Sequence, residues 1–324
     1  MSDANLLGDA PVSLIAGPEE YLFGEEKALL EVIEGNEPLP RWLPPYMHGL
    51  FAVAQLGWDA RNVEPVRFGD DGANPTLVNN AETLANIPHI LVRGPEWFRE
   101  IGTEQSTGTV CCTVVGDVTS PGVVEVEFGT PLSDVLERCG GPAKGRSVRA
   151  VLSGVSNTVI TAEQLGTPVS YEGFEAIGSG LGSAGFIVYD DSTCMVEVTA
   201  ILSRFLSVES CGQCPPCKLG TTAITDALDR IVDGRATDLE LGTISERLRI
   251  VSDGNRCYLP VEEQRLVSSL LTSFAADFAD HLEYGRCPRP RTLPIPKIVD
   301  IADGVVTYDA RQARKRPDWT YVDE

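Results

Sequence analysis

Glu209-Ser-Cys-Gly-Gln-Cys-Pro-Pro-Cys-Lys-Leu-Gly220 carries three thiols at a C-x2-C-x2-C spacing. A tight loop with that spacing points three sulfurs at one centre, which suits three corners of an iron-sulfur cubane. The bacterial ferredoxin run would place a fourth cysteine three residues further on, but Thr221 stands there. The fourth ligand must therefore come from elsewhere, and Cys257 and Cys287 are the downstream candidates. Cys257 is the choice, because a helical hairpin after Cys217 can return the chain to the loop it left, whereas Cys287 lies beyond another long helix. Three other readings compete. Structural zinc usually takes its thiolates as two C-x2-4-C pairs, and Cys257 has no such neighbour. Cys214-Pro-Pro-Cys217 as a dithiol redox pair would normally open a helix after a strand, and it leaves Cys211 unexplained. Ordinary buried thiols rarely cluster this way. The cluster reading is favoured over all three.

The flanks of this loop read as helices. Four periodic segments, Val196 to Val208, Thr221 to Val232, Leu239 to Val251 and Val261 to Leu282, predict a small bundle, with Gly234 and Gly254 just past two helix ends. Upstream, short runs rich in Val, Thr and Gly predict strands at Val110 to Val115, Val123 to Phe128, Val148 to Ser153 and Gly185 to Tyr189. One helix, Leu132 to Cys139, sits among them, the element list of a small α+β unit. Nearer the N-terminus a helix is expected over Glu25 to Glu34. A second opens near Asn80 and ends at Pro88, with a loop-like stretch from Ala52 to Asn74 between the two. Beyond Cys287, Pro288, Pro290, Pro294 and Pro296 precede a basic patch, Arg311 to Arg316, and predict an extended tail.

Composition narrows the function. A hydrophobic fraction of 43% over 324 residues is enough for a substantial core without staples. Twenty-six Lys plus Arg against 47 Asp plus Glu leave a net charge of -21, which disfavours nucleic acid and anionic lipid as partners. No run approaches the roughly 20 apolar residues of a membrane span, and no signal peptide opens the chain, so a cytoplasmic protein without direct membrane insertion is expected. Nine cysteines, unevenly spread, do not describe a disulfide framework. Cys111, Cys112, Cys139 and Cys194 fall in apolar contexts and read as core. His48, His89 and His281 have no metal-ligand neighbour in sequence and read as surface or core histidines. Gly180-Leu-Gly-Ser-Ala-Gly185 spells G-x-G-x-x-G, but a strand follows where a dinucleotide fingerprint requires a helix, so it reads as a loop.

With the cysteine run in hand, the chain resembles the family of flavoprotein subunits, the F subunits, of bacterial NADH-quinone oxidoreductase, the respiratory complex I type. The related diaphorase subunits of NAD-linked hydrogenases and formate dehydrogenases share the likeness. Three further stretches carry the resemblance: Ala16-Gly-Pro-Glu-Glu-Tyr-Leu-Phe-Gly-Glu-Glu-Lys-Ala-Leu-Leu30, Pro75-Thr-Leu-Val-Asn-Asn-Ala-Glu-Thr-Leu84, and Gly178-Ser-Gly-Leu-Gly-Ser-Ala-Gly-Phe-Ile-Val-Tyr-Asp-Asp191. The resemblance implies an α+β chain with part of an FMN-binding α/β region over residues 1–105. It implies a ubiquitin-like β-grasp (SLBB) domain over 106–195, a four-helix bundle holding one [4Fe-4S] cluster over 196–286, and a proline-rich tail over 287–324. In such a family NADH reduces FMN and the flavin passes electrons singly to the cluster. Cys211, Cys214, Cys217 and Cys257 would be the cluster ligands. Gly24 would let the backbone approach the flavin ring, Glu25 and Glu26 would line the flavin and nicotinamide pocket, and Asn79 and Asn80 would hydrogen-bond FMN. From spacing alone, the glutamates read instead as a solvated first helical turn and the asparagines as a helix N-cap.

The family's Gly-Arg-Gly-Gly-Ala-Gly-Phe flavin loop does not occur in these 324 residues. The remainder of the pocket is thus expected from an upstream segment or a second polypeptide. The other implied partners are E-like or G-like redox subunits with further iron-sulfur clusters, in a complex that could sit peripheral to the inner membrane. Three functions are compatible with this pattern: an oxidoreductase subunit of NADH dehydrogenase type, which is favoured, a flavin-free iron-sulfur relay, and an assembly or docking module built on the β-grasp domain.

Overall fold

The computed structural model describes residues 12–52, 72–285, 287, 293 and 297–322. Most of the loop-like stretch after Ala52 lies outside the described residues. The chain divides into two compact units, Met1–Asn79 and Asn80–Glu324. In the first, a 3-10 turn, Tyr21–Gly24, leads into α1, Glu26–Glu34, which buries Ala28 and Leu30 and ends at Gly35 with a left-handed φ of 76°. Arg41 holds this helix to the loop that follows. Its guanidinium reaches Glu31 at 2.6 Å and Glu34 at 3.0 Å, and donates to the Gly49 carbonyl.

The second unit opens with α2, Ala81–Arg93, capped by Asn80, whose side-chain oxygen accepts the Thr83 N–H at 2.7 Å. The helix runs through Pro88 rather than ending there. Proline withholds the bond the Leu84 carbonyl would accept, and because no α2 residue is buried, water can serve that carbonyl instead. A short α3, Pro95–Phe98, follows.

Then comes the sheet: β1 (Thr109–Gly116), β2 (Gly122–Glu127), α4 (Leu132–Arg138), β3 (Val148–Ser153), β4 (Ile160–Thr161), α5 (Tyr171–Ala176) and β5 (Gly185–Asp190). The strand order is β2-β1-β5-β3-β4, with β1 and β5 parallel at the centre and antiparallel neighbours on both sides. Val110, Cys112 and Val114 alternate inward from β1 and pack with Leu132, Val135 and Leu136 of α4, Phe174 and Phe186. Cys111, on the opposite face, is exposed, a departure from its core reading. Gly185 opens β5, so the G-x-G-x-x-G run is a loop entering a strand, as its context predicts.

Five helices complete the unit: α6 (Met195–Glu209), α7 (Pro215–Val232), α8 (Asp238–Leu248), α9 (Leu259–Ser273) and α10 (Ala275–Tyr284). The four-helix expectation is corrected here, because the last periodic segment breaks at Phe274, where φ and ψ of -122° and 32° leave the helical region. That residue is fixed from outside the helix, under the Arg149 guanidinium at 5.2 Å. α6 is buried almost all round and packs against α7, α9 and α10, which makes it the central helix. Arg149 of β3 also pairs with Asp277 of α10 at 2.5 Å and donates to the Thr193 carbonyl, so the sheet is seated on the helices.

The C-terminal stretch departs from the extended tail expected of it. β6 (Ile298–Ala302) and β7 (Val305–Tyr308) form a hairpin around Asp303 and Gly304, both at positive φ. A 3-10 turn, Ala310–Arg314, then brings Lys315 to Glu209 at the end of α6. The Nζ–Oε1 distance is 2.8 Å, both side chains are fully buried, and Gln312 donates to the same oxygen at 2.7 Å. Removing one partner of such a pair strands a buried charge. Lys315→Met is expected to lower folding stability by about 3–5 kcal/mol, and Lys315→Met combined with Glu209→Leu to recover part of that loss, both read from urea midpoints.

Candidate metal centre

Two loops build the site. The first leaves α6 at Glu209 and enters α7 at Pro215, with Cys211 and Cys214 in the loop and Cys217 in the first turn of the helix. Proline suits that first turn, where its missing N–H costs no helix bond. Gly212 turns the loop with φ 67°, a value that side chains disfavour. The second loop joins α8 to α9 and carries Gly254, at φ 62°, and Cys257, just before the helix starts at Leu259.

The loops meet. Cys211 Sγ lies 4.0 Å from Cys257 Sγ, and the Cys214 thiol donates to the Gly254 carbonyl at 3.4 Å. Arg256 Nη1 donates to Gln213 Oε1 at 2.8 Å, a second link between the same loops. Cys214, Cys217 and Cys257 are buried and Cys211 is half-buried. A helical hairpin therefore does return Cys257 to the cysteine loop.

The electrostatics of Cys211, Cys217 and Cys257 are uneven. Cys211 is lowered to about 6, chiefly because Cys257 hydrogen-bonds its thiolate, with help from Gln213 and the Arg256 charge. Cys257 is driven up by the same contact and by burial. Burial likewise pushes Cys217 up to about 12. The N-terminus of α7, at Cys214 and Cys217, offers its positive dipole end to this thiol-rich pocket.

The donor set is all thiol, the set an iron-sulfur cluster takes. A tetrahedral ion gathers its sulfurs to about 3.8 Å of one another. Among the described residues, the group of three donors that all fall within 4.8 Å is a different one, Cys194, His281 and Cys287. The one separation seen in the four-cysteine set, Cys211 to Cys257 at 4.0 Å, lies close to the single-ion spacing, so the cubane reading stands on the all-thiol donor set and its C-x2-C-x2-C spacing rather than on the distance. Cys287, the rejected alternative for the fourth ligand, stands with Cys194 and not with the cysteine loop.

Below the loops lies a buried acid that the sequence did not single out. Glu263 of α9 is fully buried and accepts the Ser203 hydroxyl at 2.6 Å, while its other oxygen, Oε2, has no hydrogen-bond partner. Burial pushes this carboxyl up to about 8. Its signal in the sequence was the Glu262-Glu263 pair inside an apolar helix period, where a solvated face would ordinarily carry it.

The residues expected at a flavin are engaged locally. Gly24 ends the 3-10 turn before α1. Glu25 occupies the N-cap position of α1 and lies 3.8 Å from Lys27, and Glu26 opens the helix. Asn79 is exposed, and Asn80, in the other compact unit, caps α2.

Comparison with known proteins places these features in company. The family profile of the NADH-ubiquinone oxidoreductase-F iron-sulfur binding region matches residues 197–281, and that of the SLBB domain matches 112–160. The NADH-quinone oxidoreductase F subunit 2 of Rhizobium meliloti is 37% identical over 279 residues, covering 86% of this chain and 62% of that protein. The NADP-reducing hydrogenase subunit HndC of Solidesulfovibrio fructosivorans is 32% identical over 86% of this chain and 54% of its own length. An NAD+-reducing [NiFe]-hydrogenase crystallised in its H2-reduced state superposes with a TM-score of 0.67 at 31% identity, covering 83% of this chain and 41% of that one. The chain thus spans about three fifths or less of these relatives.

Two outcomes are expected at this site. Cys214→Ser should abolish the low-temperature spin resonance of the reduced cluster, and Cys287→Ser should leave it intact. Glu263 has a raised native pKa, so its stabilising effect is full below the unfolded value near 4.5 and is lost as pH rises through about 8. Glu263→Gln should flatten that decline in denaturation midpoints measured between about pH 5 and 8.

Proposed function

We propose that this chain, which belongs to the family of NADH-quinone oxidoreductase F subunits, carries single electrons within an NADH dehydrogenase-type complex, with Cys211, Cys214, Cys217 and Cys257 as the ligands of a [4Fe-4S] cluster. The observation that carries this reading is the arrival of Cys257 beside Cys211 from 46 residues away. When bound, such a cluster supplies one-electron redox chemistry, into which a flavin can divide the two electrons of a hydride donor.

The chain's own residues perform the remaining tasks. Cys211, whose thiol is lowered by its contact with Cys257, is the sulfur best prepared to ligate. Arg256 and the start of α7 offset negative charge gathered at the sulfurs. Burial of Cys214, Cys217 and Cys257 keeps water from the inner side, while half-buried Cys211 marks the side open to a redox partner. Exposed Leu219 and Tyr258, each within two residues of a ligand, give that partner an apolar footing beside the site. The partner would carry further iron-sulfur centres.

In the same reading Gly24, Glu25, Glu26, Asn79 and Asn80 form this chain's share of a flavin and nicotinamide pocket. None of the five is cationic, so the FMN phosphate has to find its cation or amide nest in other residues. A flavin-free relay is the second reading, favoured by the engagement of the Asn80 carboxamide in capping α2.

Anaerobic purification of the full chain, followed by iron and sulfide analysis, tests the first step, and about four irons per chain are expected. Added FMN should then permit NADH to reduce the cluster. Reduction by dithionite but not by NADH with FMN would select the relay, and zinc in place of iron would overturn both.

A further inference from the structure

We propose that Cys194, His281 and Cys287 form a second, mononuclear site for a zinc-class divalent cation, distinct from the four-cysteine centre. One sulfur stands at the N-cap of α6, the imidazole in the last turn of α10, and the other sulfur two residues past Gly285, whose left-handed φ of 62° turns the chain back over the helix end. Their ligand atoms all lie within 4.8 Å of one another, and Cys194 Sγ is 3.4 Å from His281 Nε2. A tetrahedral zinc with ordinary bond lengths would set sulfur to nitrogen at about 3.6 Å and sulfur to sulfur at about 3.8 Å, so the site needs only a small contraction on loading.

The imidazole is already oriented. His281 Nδ1 lies 2.8 Å from the Asp277 carbonyl, which as acceptor fixes the proton on Nδ1 and leaves the Nε2 lone pair facing Cys194. A backbone carbonyl behind a ligating histidine is a usual second contact at metal sites. Asp277 is itself anchored by Arg149, which holds the carbonyl's helix turn against the sheet.

Donor chemistry selects the ion. Two thiolates and one imidazole prefer zinc to magnesium or calcium, which seek oxygen. On binding, the two thiols release their protons to solvent, two Zn–S bonds and one Zn–N bond form, and a water on the half-exposed Cys287 side completes the tetrahedron. No oxidant is required. A doubly charged ion with two thiolates is neutral overall, which suits a place where Cys194 and His281 are 0% and 2% exposed. A thiol-imidazole hydrogen bond accounts for Cys194 and His281 alone, and the second sulfur turns the pair into a ligand set.

The two centres are separate. α6 has 15 residues and so a length of about 22 Å, with Cys194 at its start and the Cys211 loop at its end. One cluster cannot draw on both. The second ion would instead clamp the beginning of the helical region to the end of α10.

The test uses the full chain purified anaerobically with its iron in place, exposed to Zn2+ and desalted, with both metals counted by mass spectrometry. About one zinc beyond the cluster iron is expected. Cys287→Ser, at the accessible edge, should weaken zinc retention at least about tenfold while iron is unchanged. Co2+ in place of zinc should give the visible absorption of a tetrahedral thiolate site in the unaltered chain, a reading that does not depend on any variant folding. Iron-replete protein that holds no zinc, equal zinc in Cys287→Ser, or an anaerobic mass about two daltons low from a Cys194–Cys287 disulfide would each overturn the proposal. The iron count reports on the cluster separately, so failure of one centre is not mistaken for failure of the other.

Discussion

Four thiols meet in a place where two of them, Cys217 and Cys257, are costly to ionise. Burial drives Cys217 upward, and Cys257 rises through its contact with Cys211 and through burial, so the protein alone favours a negative sulfur at Cys211 and opposes one at Cys217 and Cys257. A [4Fe-4S] cluster held by these sulfurs would reverse this preference by binding the thiolate form directly. The surrounding architecture follows from that demand. Two helices start at the sulfurs, α7 and α9, and a third, α6, delivers the loop, so that dipole ends and Arg256 face the one region where negative charge must gather.

The sheet is tied into the same arrangement by one arginine. Arg149 spans β3 and α10 with a carboxylate, a carbonyl and an aromatic ring as partners. Val159 adds a second tie, its N–H donating to Ser269 of α9 at 3.0 Å. The sheet is therefore a fixed base for the helices rather than a separate bead on the chain.

Much of this was legible in the residues because its signals are local. C-x2-C-x2-C names its own chemistry, and alternating Val110, Cys112 and Val114 name a strand with one buried face. The misses share a cause, which is dependence on distant partners. β4 has two residues and exists only as a rung against β3. Phe274, where the helix breaks, lies under Arg149 from more than a hundred residues away in sequence, and no periodicity reports that contact. Cys194 and His281 read singly as core or surface residues and Cys287 as a fourth cluster ligand passed over, and their convergence is a product of α6 and α10 packing. The hairpin near the C-terminus is different: Asp303-Gly304 between two β-branched runs was a local turn signal, obscured by the prolines before it.

Lys315 reaches Glu209 across 106 positions of chain. On a ribosome, the carboxylate at the end of α6 emerges long before the ammonium that will bury with it. A nascent chain thus carries its cysteine loop on a helix terminus that has yet to settle. A polypeptide cut short of Lys315 would keep Cys211, Cys214, Cys217 and Cys257 but leave the buried Glu209 carboxylate beside their loop without its ammonium partner.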